Sequence, residues 1–243
     1  MTNVVRVAMW SGPRNISTAM MRAWENRPDT VVVDEPLYAA YLARTGVDHP
    51  ARDEVIASQP TDLAEAVDGL SAPLPPGRSV HYAKHMAHHL PADMNLNWTL
   101  GFRNVLLIRD PVEVVASYVR ARESCEPDDI GLPQQGRLIA LWREQGVEVP
   151  VIDAGDFLRA PGPHLRWLCG WLDIPFSDRM LSWPAGPRAS DGVWAPHWYE
   201  AVWSSTGFKP RHPRETSLSD HDAAVAEACQ PIYAALHARR VRV

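Results

Sequence analysis

Five short apolar runs, at residues 4–9, 30–33, 79–84, 104–108 and 149–152, are nearly unbroken in hydrophobicity and rich in β-branched side chains. Each stops at a turn or a polar residue, the pattern of strands buried on both faces of a parallel sheet. Between and after them, helical patterns cover 17–26, 111–122, 134–145 and 163–172. Pro111 stands in the first turn of its helix, where a missing N–H is harmless. A last helix over 219–240 puts Ala223, Val225, Ala228, Ile232 and Leu236 on one stripe, with Arg239 and Arg240 complementing its C-terminal dipole. Alternating strand and helix predicts an α/β domain around a parallel sheet of about five strands.

Two stretches break this rhythm within what reads as one domain over 1–243. Residues 44–78 hold "SAPLPPGRS" and a polar helical piece, "TDLAEAVDGL", and read as an insertion or lid. Residues 183–218 are irregular and rich in Pro, Trp and Ser, as loops are that bind or cover something. Six of the ten tryptophans fall between 167 and 203; most read as a satellite core under long loops, with one or two free to wall a pocket.

Composition narrows the function classes. With 46% hydrophobic and 22% charged residues and a net charge of -5, the chain gives no support to broad nucleic-acid or membrane-surface binding. An anion site must therefore be a local cluster of cations and backbone N–H groups. Three separated cysteines without a CxxC pair suit a reducing compartment. No apolar stretch reaches the ~20 residues of a membrane span, and no basic leader precedes the first strand, so a cytoplasmic location is expected.

The candidate chemistry begins after the first strand, in "WSGPRNISTAMM". Pro13 and Arg14 precede a helix start at Asn15, Ile16, Ser17 and Thr18, where free N–H groups and the helix dipole form an anion site. Arg14 adds a charged fork, and Ser17 and Thr18 add hydroxyls. The loop lacks the second Gly and the Lys of G-x-x-x-x-G-K-[ST], which speaks against a magnesium-dependent ATPase or kinase. A second signal is "NVLLIRDPVEVVASYV": Arg109 ends the fourth strand and Ser117 lies two turns into the next helix. These two converge on one phosphate, or else Arg109 and Asp110 form a plain strand-end ion pair.

Together the two segments resemble the sulfotransferase family, whose members use 3′-phosphoadenosine 5′-phosphosulfate (PAPS) as donor. "PRNIST" stands where bacterial members commonly read Pro-Arg-Ser-Gly-Ser-Thr, and Arg109, Asp110, Pro111 and Ser117 match the 3′-phosphate element. "LDIPF" and "CQPIYAAL" are further echoes towards the C-terminus. The resemblance implies a three-layer fold like that of P-loop NTPases, sulfuryl transfer to a small-molecule, sugar or lipid hydroxyl or amine, and no metal. Self-association is compatible with it. Ile16 departs from the family's glycine, and a side chain there narrows the approach to the phosphate.

A base must take the acceptor's proton. Glu35 in "VVVDEPLY" ends the second strand, facing the crevice where α/β ligands bind. "VHYAKHMAHHLP" offers Lys84 and His85, where cytosolic members of the family often carry Lys-x-His-x-Pro, with Lys assisting transfer and His as base. Both assignments of the base stand at this point. His85 and His89 at i, i+4 also suggest zinc, but no cysteine lies near and no metal is expected. Phe208, Lys209 and Arg211 in "SSTGFKPRHPR" resemble the family's late basic loop and are expected to contact the donor. Two other readings remain: a nucleotide-dependent phosphoryl transferase, and a non-catalytic nucleotide-binding protein on the same fold.

Overall fold

The computed structural model describes residues 4–122, 124–210 and 217–243. The chain runs β1 (Val5–Ser11), α1 (Ser17–Glu25), β2 (Thr30–Asp34), α2 (Tyr38–Thr45), α3 (Arg52–Ser58), α4 (Leu63–Gly69), β3 (Val80–Met86), β4 (Arg103–Ile108) and α5 (Pro111–Tyr118). It continues through α6 (Leu132–Glu144), β5 (Val151–Asp153), α7 (Ala154–Arg159), α8 (Pro161–Trp171), α9 (Ala195–Trp198), α10 (Glu200–Trp203) and α11 (Asp220–His237). All five strands are parallel, in the order β2-β3-β1-β4-β5.

Strand alternation sorts the apolar residues into two layers. Val7 and Met9 of β1, Val80 and Tyr82 of β3, and Val105 and Leu107 of β4 pack with Met20, Met21 and Trp24 of α1 and Leu165 and Leu168 of α8. Ala8, Trp10, Leu106 and Ile108 face the other way, against Val115 of α5, Leu138 and Trp142 of α6, and Val225 and Leu236 of α11. Large side chains so enclosed contribute ~1.5–3 kcal/mol each to folding. Two indoles of this second layer are paired: that of Trp10 donates to Asn104 at 2.9 Å and that of Trp142 to Thr99 at 2.9 Å.

The strand order places the site. From β1 the chain crosses to β2 on one side, and from β4 to β5 on the other, so the loops leaving β1 and β4 part and open a crevice between their C-terminal ends. Gln135 of α6 spans that gap, donating to the carbonyls of Trp10 at 3.0 Å and Leu107 at 3.1 Å.

The irregular stretches are more helical than their composition suggests. Residues 44–78 contain α3 and α4, and the Arg6 guanidinium donates to the carbonyls of Leu70, Ser71 and Ala72 just after α4. Of this stretch, His49 stands in the wall of the cavity at the C-terminal ends of the strands. Trp194, Ala195 and Tyr199 form a satellite core with Tyr38, Leu42 and Val55, and Trp198 and Trp203 pack against it, whereas Trp183 and Trp171 belong to the α1 layer and Trp167 is exposed. The three cysteines are unpaired and buried. Among the described residues, no helix is long and apolar enough to cross a membrane.

Candidate functional site

The turn after β1 is shaped by contact with a second backbone. A Cβ on Gly12 would lie 2.2 Å from the Ile130 carbonyl oxygen, so no other residue fits there without displacement. Arg14 then adopts φ 54°, in the left-handed region, and turns the chain into α1. Asn15 fastens the turn by donating to the Leu107 carbonyl at 3.2 Å while its Oδ1 accepts the Ile16 N–H at 2.8 Å. Among the described residues no side chain caps the first N–H groups of α1, whose residues Ser17 and Thr18 line the cavity with the helix dipole behind them. Ile16 has φ -88°, a conformation open to any residue, and its side chain packs against the α1 layer of the core while still lining the cavity.

The second motif joins the first directly. Arg14 Nε donates to Ser117 Oγ at 3.0 Å, and the Arg109 guanidinium donates to the Arg14 carbonyl. Asp110 forms no ion pair with Arg109; its carboxylate caps α5 by accepting the Val112 N–H at 2.9 Å, and Arg109 pairs with Glu113 at 3.1 Å. Partial burial, then the charges of Arg120 and Arg109, lower the pKa of Arg14. A cluster of like charges of this kind is relieved by an anion. Pro13, Arg14, Asn15, Ile16, Ser17, Thr18, Arg109 and Ser117 all line one cavity of about 320 Å³.

Across that cavity lies an acidic pair around a buried ammonium. Asp34 and Lys84 are register partners on β2 and β3. Glu35 would point away in a regular strand, but φ 43° turns it back, so that both carboxylates meet Lys84. Lys84 Nζ donates to Asp34 Oδ1 at 2.8 Å, to Glu35 Oε1 at 2.7 Å and to the Tyr199 hydroxyl. An ammonium has three donors, and all three are spent. Tyr199 in turn accepts from the Trp194 indole at 3.1 Å and donates to Asp34 Oδ2 at 2.7 Å. Burial raises the pKa of Glu35, with Lys84 opposing and Asp34 adding to the rise. Burial pulls the Lys84 ammonium down, but Asp34 and Glu35 hold it above 10.5.

The histidines divide by strand alternation. Lys84 and Met86 face the cavity, while His85 faces the opposite layer and stacks on Trp10 with ring centroids 4.1 Å apart. Both its ring nitrogens are buried without a partner, and burial lowers its pKa to about 3. His85 as the catalytic base is thus corrected: an adjacent strand position cannot share the face of Lys84. His88 and His89 do line the cavity, and His89 is stacked between Tyr38 at 4.6 Å and Tyr41 at 4.8 Å. Burial pushes the His89 pKa well below 6.5, so its 4.0 Å approach to Glu35 is no ion pair.

The Trp-rich segment roofs the site through α9 and α10, with Trp198, Tyr199, Ala201 and Val202 in the cavity wall. Phe208 packs edge-on to Phe157 and Trp183 in the core and does not reach the cavity, which corrects its reading as a donor contact. Lys209 is exposed and likewise outside the lining. Arg211 lies outside the described residues. Asp34 and Tyr199 are the members of the site that sequence reasoning passed over; the Asp-Glu doublet closing the second strand was the one signal for the former. Among the described residues, Asp153, Asp156 and His237 lie close enough to share a cation, but Tyr233 already donates to Asp153, and Arg240 and Arg159 to Asp156.

A family model described as "Sulfotransferase domain" matches residues 5–240. Two Arabidopsis thaliana proteins, branched-chain-amino-acid aminotransferase-like proteins 2 and 1, are 35% and 36% identical over 230 and 236 residues. The alignments cover 92% of this chain but only 40% of either relative, whose names describe the longer proteins. The fold is that of a sulfotransferase domain from a Synechococcus PCC 7002 olefin synthase (TM-score 0.55, 16% identity, 94% of this chain and 95% of that one). It is equally that of an Alicyclobacillus acidocaldarius sulfotransferase (TM-score 0.54, 16% identity, 98% and 97% covered).

Proposed function

The chain belongs to the sulfotransferase-domain family, and from that premise we propose that it moves a sulfuryl group from PAPS to a hydroxyl or amine of a small-molecule, sugar or lipid acceptor. The observation that carries the reading is the direct bonding of the two phosphate motifs, Arg14 to Ser117 and Arg109 to the Arg14 carbonyl, at one end of a cavity whose other end holds Glu35.

The residues divide the work. The donor's 5′-phosphosulfate is held by the N–H groups opening α1, with Ser17, Thr18 and Arg14; its 3′-phosphate is held by Arg109 and Ser117. These groups stabilise the charge that grows on the bridging oxygen as the S–O bond to phosphate breaks. The acceptor oxygen or nitrogen bonds to sulfur from the opposite side and gives its proton to Glu35. The products are the sulfated acceptor, adenosine 3′,5′-bisphosphate and a protonated Glu35. Lys84 keeps its donors on Glu35, Asp34 and Tyr199 and serves the base, not the leaving group.

Calorimetry with adenosine 3′,5′-bisphosphate tests the donor site. Binding heat in the native chain, reduced ~10–100-fold in affinity by Arg109→Ala, is expected for a lost charged hydrogen-bond partner. Absence of binding at millimolar nucleotide, or an Arg109→Ala variant indistinguishable from native, refutes the assignment.

A further inference from the structure

We propose that Asp34 and Tyr199 are positioning residues of the reaction: through the three N–H donors of Lys84 they hold the Glu35 carboxylate with Oε1 bound and Oε2 open to the acceptor. The inference rests on Glu35 being the base. Three observations support it. First, Lys84 is saturated, with one N–H on each of Asp34 Oδ1, Glu35 Oε1 and the Tyr199 hydroxyl, so its direction is fixed by two separate segments of chain, the end of β2 and the α9–α10 junction. Second, the network has a defined proton order. The Tyr199 oxygen accepts from Lys84 and from the Trp194 indole, so its single proton goes to Asp34 Oδ2 at 2.7 Å and not to Glu35 Oε1 at 3.4 Å. Third, Glu35 Oε2 accepts no hydrogen bond from the described residues; His89 Nε2 lies 4.0 Å from it.

Asp34 has a second consequence. Two carboxyls share one ammonium, so a proton arriving at Glu35 relieves repulsion from Asp34 instead of breaking a balanced pair. Asp34 is itself engaged by three donors, Lys84 on Oδ1 and Tyr199 and the Gly192 N–H at 3.3 Å on Oδ2, so both its oxygens are occupied while Glu35 Oε2 is bare among the described residues. The extra carboxylate therefore makes Glu35 the group that takes the proton. The groups facing Glu35 are Asp34 on β2, Lys84 on β3, His89 just beyond β3, Tyr38 on α2 and Tyr199 at the α9–α10 junction. Because Tyr199 belongs to the roof over the cavity, the roof and the base are aligned by the same hydroxyl.

The test is titration of Glu35 by NMR on chain labelled with 13C at glutamate Cδ, its signal assigned by its loss in Glu35→Gln. It is paired with sulfuryl transfer from 35S-PAPS to 4-nitrophenol as probe acceptor. Asp34→Asn is expected to lower the Glu35 midpoint by ~1 pH unit or more, since a like charge is removed. Tyr199→Phe is expected to reduce kcat ~10–100-fold with little change in KM for PAPS, the range of one lost hydrogen bond to a charged group. Both variants are checked for native melting, and the NMR readout stands whether or not 4-nitrophenol is accepted. An unmoved midpoint in Asp34→Asn, or an unchanged kcat in Tyr199→Phe, overturns the proposal. If Glu35→Gln keeps full turnover while the midpoint still moves in Asp34→Asn, it is the base assignment that falls, and the two failures are told apart.

Discussion

Replacing Lys84 by Met removes a side chain that is 1% exposed and leaves Asp34 and Glu35, 5% and 8% exposed, facing each other without a cation. Methionine fills the volume of the stem, so the loss is electrostatic rather than a cavity. Breaking a buried ion pair by removing one partner costs ~3–5 kcal/mol. In a chain of 243 residues each kcal/mol lowers Tm by ~2–4 °C, giving a fall of roughly 6–20 °C. The sign with pH is also fixed. Without Lys84 the paired carboxyls hold a proton more tightly folded than unfolded, so their stabilising contribution is present in acid and lost as pH rises through the folded pKa. The deficit should be largest at neutral pH and narrow towards about pH 5. The exposed pair Arg44–Asp93, 49% and 69% accessible, supplies the contrast. Its Asp93→Asn variant should lose at most ~1 kcal/mol at any pH. Melting curves of the two variants at several pH values decide the matter. A Lys84→Met deficit as small as that of Asp93→Asn, or one independent of pH, refutes the description of the buried trio.

Other consequences can be checked separately. His85→Phe should leave sulfuryl transfer unchanged and flatten the acid side of the stability profile. A histidine held near about 3 against an ordinary 6.5 stabilises above 6.5 and loses that contribution as pH falls towards 3; denaturant midpoints between these pH values test it. Gly12→Ala must push its Cβ off the Ile130 carbonyl, destabilising by ~1–3 kcal/mol and weakening adenosine 3′,5′-bisphosphate binding in the same variant; retained affinity would show that the loop is not held by that contact. Asp191→Ala should destabilise by ~3–5 kcal/mol, because the Arg22 guanidinium, 1% exposed, keeps only Glu25 as ionic partner among the described residues. Since Asp191 also accepts the Trp203 indole, tryptophan fluorescence should shift with it.

The local grammar of the chain was legible where one segment decides its own structure. The five apolar runs became the five strands, and "PRNIST" and "RDPVEVVAS" became the facing walls of one cavity because strand, turn and helix start lie within a few residues of each other. The face occupied by His85 depended on which residue of the third strand points to the crevice, and a strand buried at every position, with polar residues on both faces, carries no alternation to reveal it. Tyr199 meets Asp34 across 165 positions, so no periodicity links them. α9 and α10 are four residues each, too short for a helical pattern to rise above the Pro and Trp around them. Phe208 was read from a neighbouring motif, but its ring fills core space between Phe157 and Trp183.

The backbone at Glu35 sets function against durability. A non-glycine residue at φ 43° carries strain of ~1–2 kcal/mol that glycine would release. Its loss would also leave Lys84 and Asp34 as a matched pair of one charge each. Glu35→Gly is therefore expected to fold at least as stably as the native chain while losing the carboxylate at the cavity wall. Under the proposed reaction that exchange would trade turnover for stability, with the strain at one backbone position as the quantity exchanged.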